Sequence, residues 1–195
     1  MGVFVQYNKG MRKLKIYFNA PITLTFTFIC FLALFLQMIT NGDSTVLLFS
    51  TYSSSLLDPL TYVRLIGHIF GHADFDHLIS NMIYILLLGP MLEEKYHDRL
   101  IIVIVVTALV TGICNNIFQP GVMLLGASGV VFAFILLASV TGKDRGIPIT
   151  LILVAVLWIG GEVTSMLTVT DSISHITHII GGLVGGAIGL FFKNN

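Results

Sequence analysis

Six blocks of apolar residues, at roughly 21–39, 77–92, 100–118, 126–141, 147–163 and 175–192, alternate with stretches rich in Gly, Pro, Asn, Asp and charge. The longer blocks approach the roughly 20 apolar residues that a bilayer crossing requires. In lipid the backbone polar groups have to be satisfied inside each segment, so the pattern predicts helices rather than isolated strands. The intervening residues are turn formers. The expectation is an all-α membrane protein of six spans, with residues 1–20 a leading segment and 21–195 a single membrane domain. The first block is too long for the apolar region of a cleaved signal and lacks a well-placed small-residue cleavage site, so it reads as a permanent span. No internal repeat is visible, which argues against repeat-built transporter folds.

The basic residues orient the six-span arrangement. Lys9, Arg12, Lys13 and Lys15 precede the first block, Lys95 and Arg99 follow the second, Lys143 and Arg145 follow the fourth, and Lys193 follows the sixth. All fall on one side, leaving Arg64 alone on the other, and this bias assigns that side and both termini to the cytoplasm. The connection from about Thr40 to Asp76 is long. It mixes Asp43, Asp58, Asp74 and Asp76 with an apolar stretch around Val63–Phe70. Long unstructured loops are uncommon, and short helices lying in the outer interface are expected here.

Composition agrees with a lipid solvent. Of 195 residues, 55% are hydrophobic and 10% charged, against about a quarter charged in a soluble domain. A net charge of zero and the absence of a basic tract give no support for nucleic-acid binding. Cys30 and Cys114 both sit inside apolar blocks and read as packing residues, with neither a disulfide framework nor metal-ligand spacing.

Polar and ionisable groups inside spans are costly, and each is a functional hypothesis. Gly126-Ala127-Ser128-Gly129 opens the fourth span at its outer end. Glycines around a serine let a hydroxyl stand clear and backbone approach closely, which suits a nucleophile and an oxyanion donor. Small residues at membrane helix contacts are also routine packing. His178, Gly181 and Gly185 share one helical face, a histidine above a glycine groove, as a general base pressed against another helix would require. Spans four and six both start outside, so Ser128 and His178 lie at similar depth. No Asp or Glu is expected at that depth in a neighbouring span, so the reading is a Ser–His dyad. His175, one turn nearer water, reads as a surface or interfacial histidine.

His77 and Asn81, at i and i+4, point the same way near the outer end of the second span. They could hold an oxyanion together with the Ser128 backbone N–H. Alternatively His68, His72 and His77 could be three metal ligands at the membrane edge. Glu93-Glu94-Lys95 by composition reads as a solvated turn.

The ordered set resembles the rhomboid intramembrane serine proteases: Arg64, the run from Gly71 to Met82 containing His77 and Asn81, Gly126-Ala127-Ser128-Gly129, and His178 with Gly181 and Gly185. The resemblance covers about residues 60–192 and implies a six-helix rhomboid-like bundle whose long first loop is a membrane-lying structural element. It implies Ser128 as nucleophile, His178 as base, His77 and Asn81 as oxyanion donors, and Glu93 as a carboxylate that organises the inner helix ends. Two positions depart from the family pattern. Phe132 stands where many relatives carry an aromatic hydroxyl, and a phenyl ring can still stack beneath His178. Val63 stands where a tryptophan often precedes the arginine.

The expected activity is hydrolysis of peptide bonds in or near transmembrane segments of membrane-protein substrates, with the lipid bilayer as partner and no cofactor or metal. A non-proteolytic rhomboid-like binder or chaperone is the alternative, and a metal or ion transporter using the histidine cluster a third reading. A multi-pass protein of a prokaryotic plasma membrane, its active site opening to the extracytoplasmic side, completes the expectation.

Overall fold

The computed structural model describes residues 16–140, 146–168 and 175–194. Most of the leading segment 1–20 therefore lies outside the described residues, as do Lys143 and Arg145. The elements in order are α1 (Pro21–Ile39), α2 (Asp43–Leu48), α3 (Pro59–Gly67), α4 (Phe75–Tyr96), α5 (Arg99–Phe118), α6 (Ser128–Ser139), α7 (Ile149–Thr168) and α8 (His175–Asn194). Among the described residues the only extended pairing is an isolated bridge between Thr51 and Leu124.

Five helices, α1, α4, α5, α7 and α8, are long and apolar enough to cross a membrane, and the chain is a multi-pass integral membrane protein. The fourth apolar block becomes α6, only 12 residues, or about 18 Å. It is also the centre of the bundle. Nine of its residues are buried, among them Val130, Phe134 and Leu137, while α8, α4, α5 and α7 pack around it. By contrast Leu151 is the one residue of α7 that is buried, so most of that helix presents apolar side chains outward, as lipid permits.

Local chemistry sets the helix starts. Pro59 at the first turn of α3 loses no bond by lacking an N–H, and the Asp58 carboxylate accepts from Leu60 N at 3.0 Å. Asp74 caps α4 in the same manner, accepting from His77 N at 2.8 Å. Ala20 offers α1 no side-chain cap, and the helix takes one from elsewhere in the bundle. Ile22 N and Thr23 N each donate to the Glu93 carboxylate at 2.9 Å, and Thr23 Oγ1 donates at 2.8 Å. An acid at a helix start meets both the orphan amides and the positive end of the dipole. Glu93 is 8% exposed, not the solvated turn its local sequence suggests.

The long first connection contains two short helices, α2 and α3, as the apolar stretch suggested. Arg64 braces it. Its Nη2 donates to Asp58 Oδ2 at 2.7 Å and Ser54 Oγ at 3.1 Å, and its guanidinium lies 4.8 Å from the Tyr52 ring centroid. That guanidinium holds the Asp58 carboxyl below the usual carboxylate range, helped by the Leu60 amide. The loop is tied to the approach to α6 at two points. Thr51 and Leu124 exchange backbone bonds of 2.8 and 2.9 Å, and Gly126 N donates to His68 O at 2.9 Å.

Candidate active site

Ser128 is the first residue of α6. The turn that delivers it depends on Gly126, whose φ of +124° disfavours L side chains. A Cβ there would also lie 2.9 Å from the His77 ring atoms Cε1 and Nε2 and 3.8 Å from Ser128 Oγ. The imidazole of His77 and the serine hydroxyl therefore flank the same glycine. Asn81, one turn further along α4, is buried at 6% exposure. Its amide donates to His77 O at 3.2 Å.

His178 reaches α6 because two glycines remove the side chains that would hold α8 away. A Cβ at Gly181 would collide with the Gly129 carbonyl, and one at Gly185 with the Ala133 carbonyl. With the helices this close, Phe132, one turn below Ser128, stacks on the His178 ring with centroids 4.5 Å apart and planes 13° from parallel. Phe132 and Trp158 of α7 in turn meet edge to face, at 5.0 Å and 88°. No hydrogen bond joins Ser128 Oγ to His178 among the described residues. Contacts of that kind are often open in ligand-free sites and close on substrate binding.

The expectation that no carboxylate stands at this depth is overturned. Glu162 Oε2 lies 3.0 Å from His178 Nδ1 and 2.7 Å from His175 Nδ1. The fifth apolar block ends near residue 163 by hydropathy, which puts Glu162 at its rim, but α7 continues to Thr168 and carries the carboxylate inside. His175 is not a surface histidine either, since its side chain is 10% exposed. An ionisable residue within a span was the available signal. Its partners, 13 and 16 residues away on the next helix, depend on how α7 and α8 are rotated.

A carboxylate at Nδ1 fixes the tautomer of His178. With the Nδ1 proton donated to Glu162, the lone pair resides on Nε2, the atom free to take a proton. The three-histidine cluster is not assembled. His68 Nε2 pairs with Ala108 O at 3.1 Å, His72 Nδ1 with Phe70 O at 3.1 Å, and the His72 and His77 rings meet edge to face at 5.0 Å. Burial pushes both His68 and His72 down to about 4, with the neighbouring His77 adding to the effect at His72, so these rings are neutral. Arg64 braces side chains of the first loop from α3, and Glu93, at the far end of α4, holds the start of α1.

A family model described as Rhomboid domain matches residues 59–195. The Rhomboid protease GlpG of Yersinia pestis (strain Pestoides F) is 28% identical over 171 residues, covering 85% of this chain and 60% of that protein. Proteins of the same name from Yersinia pseudotuberculosis serotype O:3 (strain YPIII) and Yersinia enterocolitica serotype O:8 align over the same length, also at 28% identity. The chain thus spans about 60% of the length of these curated relatives.

Proposed function

The chain belongs to the rhomboid family, and from that premise we propose that it is an intramembrane serine endopeptidase cutting membrane-protein substrates in or beside their transmembrane segments. One observation carries the reading: the His178 imidazole is clamped between Glu162 and Phe132, the residue one turn along α6 from Ser128, with Nε2 left free. An ordered imidazole beside a glycine-flanked serine has the ingredients of acyl transfer.

In the proposed reaction Ser128 Oγ attacks the scissile carbonyl and its proton passes to His178 Nε2. The oxyanion is held by the Ser128 N–H, the His77 ring and the Asn81 amide. His178 then protonates the leaving amine, and water hydrolyses the acyl-enzyme by the same proton route. Glu162 stabilises the imidazolium formed midway, so the unit is Ser–His–Glu rather than a bare dyad. None of these steps calls on a cofactor.

The membrane placement follows from the same reading. α6 counts as a crossing, the fourth of six, although it is short, and both termini lie in the cytoplasm of a prokaryotic cell, at its plasma membrane. An α6 of about 18 Å rising from the cytoplasmic face of a roughly 30 Å core leaves Ser128 sunk about 10 Å below the outer surface. The site then opens outward, which admits water, and α2 and α3 lie in the outer interface. Substrate helices have to unwind to present a carbonyl at that depth, so helix-breaking residues favour cleavage.

The test is cleavage of a single-span substrate in proteoliposomes by the wild type, Ser128→Ala and His178→Ala, with fluorophosphonate labelling of each. Cleavage and labelling by the wild type alone is expected. Equal cleavage by purified Ser128→Ala would overturn the reading, and absence of both cleavage and labelling in the wild type would favour a non-proteolytic binder.

A further inference from the structure

We propose that Glu162, His175 and His178 form a reversible site for a divalent cation of the zinc class, and that filling it switches hydrolysis off. The binding half stands on the geometry alone, while the switching half rests on the function proposed above.

His175 and His178, three apart, share a face of α8, and that face looks at α7 where Glu162 projects. Both imidazoles present the same atom, Nδ1, to the same carboxylate oxygen, at 2.7 and 3.0 Å. The three atoms all lie within 4.8 Å of one another. A tetrahedral zinc with bonds of about 2.0–2.2 Å holds its ligand atoms roughly 3.3–3.5 Å apart, so movements of a fraction of an ångström to about an ångström convert the hydrogen-bonded trio into a ligand set. Two neutral imidazoles, one carboxylate and an open fourth position is a recognised zinc-site composition. Nitrogen donors in the majority select against calcium and magnesium, which take oxygen.

A single carboxylate at Nδ1 is enough to orient His178. A second imidazole converging on that oxygen adds nothing to that task, but it completes a metal-binding trio.

Occupancy has a defined chemical consequence. A cation bound at Nδ1 of His178 takes the lone pair there, and the proton moves to Nε2. The ring is then a donor at Nε2 and has no lone pair with which to accept the Ser128 proton. The same shift occurs at His175, no net proton is released, and nothing is oxidised. Metal binding and general-base catalysis compete for one imidazole.

The decisive experiment uses full-length Ser128→Ala in lipid nanodiscs, titrated with zinc against a chromophoric chelator. One equivalent is expected to bind, with magnesium failing to compete. Adding Glu162→Gln or His175→Asn should weaken binding by at least the roughly 10–100-fold that even an outer-shell partner costs. Thermal unfolding of each variant without metal identifies misfolded protein, and Glu162→Gln, being isosteric, guards against that failure for the site as a whole. No stoichiometric binding, or binding equally tight in both folded variants, overturns the site whatever the protease activity. With active protein, zinc should suppress fluorophosphonate labelling of Ser128, a chelator should restore it, and His175→Asn, scored against its own metal-free rate, should resist zinc about tenfold or more. Equal sensitivity of His175→Asn and wild type overturns the switch.

Discussion

The Phe132 ring lies against the His178 imidazole at a centroid separation of 4.5 Å, nearly parallel, and braces the proposed base. An aromatic contact of this kind contributes about 0.5–1.5 kcal/mol beyond burial. Phe132→Leu, which keeps the volume and loses the face, should lower kcat by about three- to tenfold, whereas Phe132→Tyr should retain activity. Turnover of single-span substrate by each variant checks this, and wild-type kcat in Phe132→Leu would show that the stack does not order the imidazole.

Glu162 makes a second, sharper prediction. Replacing it with Gln preserves shape but removes the charge opposite the imidazolium. Loss of the carboxylate partner of a catalytic histidine reaches about 10⁴-fold in kcat in a soluble serine protease. The partly buried Ser128 site should lose about 10²-fold or more, with partial recovery in Glu162→Asp. An unchanged kcat in Glu162→Gln would return the mechanism to a dyad.

Asn81→Ala removes one proposed oxyanion donor and should lower kcat by about 10²–10³-fold with a much smaller change in KM. A loss seen entirely in KM would move Asn81 from oxyanion stabilisation to substrate binding.

The α6–α8 contact is testable by stability alone. At Gly185 a Cβ would overlap the Ala133 carbonyl, whereas at Gly182 it would meet the Leu136 side chain at an ordinary 3.5 Å. Overpacking of this sort costs about 1–3 kcal/mol, so Gly185→Ala should lower the thermal midpoint by several degrees and Gly182→Ala should leave it near wild type. Equal midpoints would mean that the two helices are not pressed together as described.

His68 and His72 give the pH dependence of stability. Both are held near 4 by burial, below the ordinary 6.5. The unfolded chain therefore takes up protons that the folded chain refuses. The stability these groups contribute is complete above the unfolded value of 6.5 and is lost progressively as pH falls toward about 4. The fall in unfolding midpoint between about pH 7.5 and about pH 5 should shrink in His68→Gln/His72→Gln. An undiminished fall would assign it to other groups.

Much of this was legible before any coordinates. Long apolar runs betray spans because lipid demands them, and the first block, 21–39, coincides with α1. The residues of the proposed site stand out in the sequence as polar groups that a span would not otherwise tolerate: Ser128, His77, Asn81 and His178. Phe132 beneath the imidazole followed from the family resemblance, and the stack is present.

Other features were decided only by packing. Hydropathy treats Glu162 as the end of a block and His175 as a residue near water. It contains no information on the rotation of α7 against α8, which brings one carboxylate oxygen to two imidazoles. Glu93 looks like part of a charged turn until α1, lacking a cap of its own, is placed beside it. The short length of α6 likewise emerges only when Gly126 turns the chain and His68 O receives its amide. The sequence alone determined which segments are helical and which side chains are chemically able to act, because burial in lipid and side-chain chemistry are properties of each residue. The tertiary structure decided which of those side chains meet, because a contact between helices depends on the rotation and close approach of both.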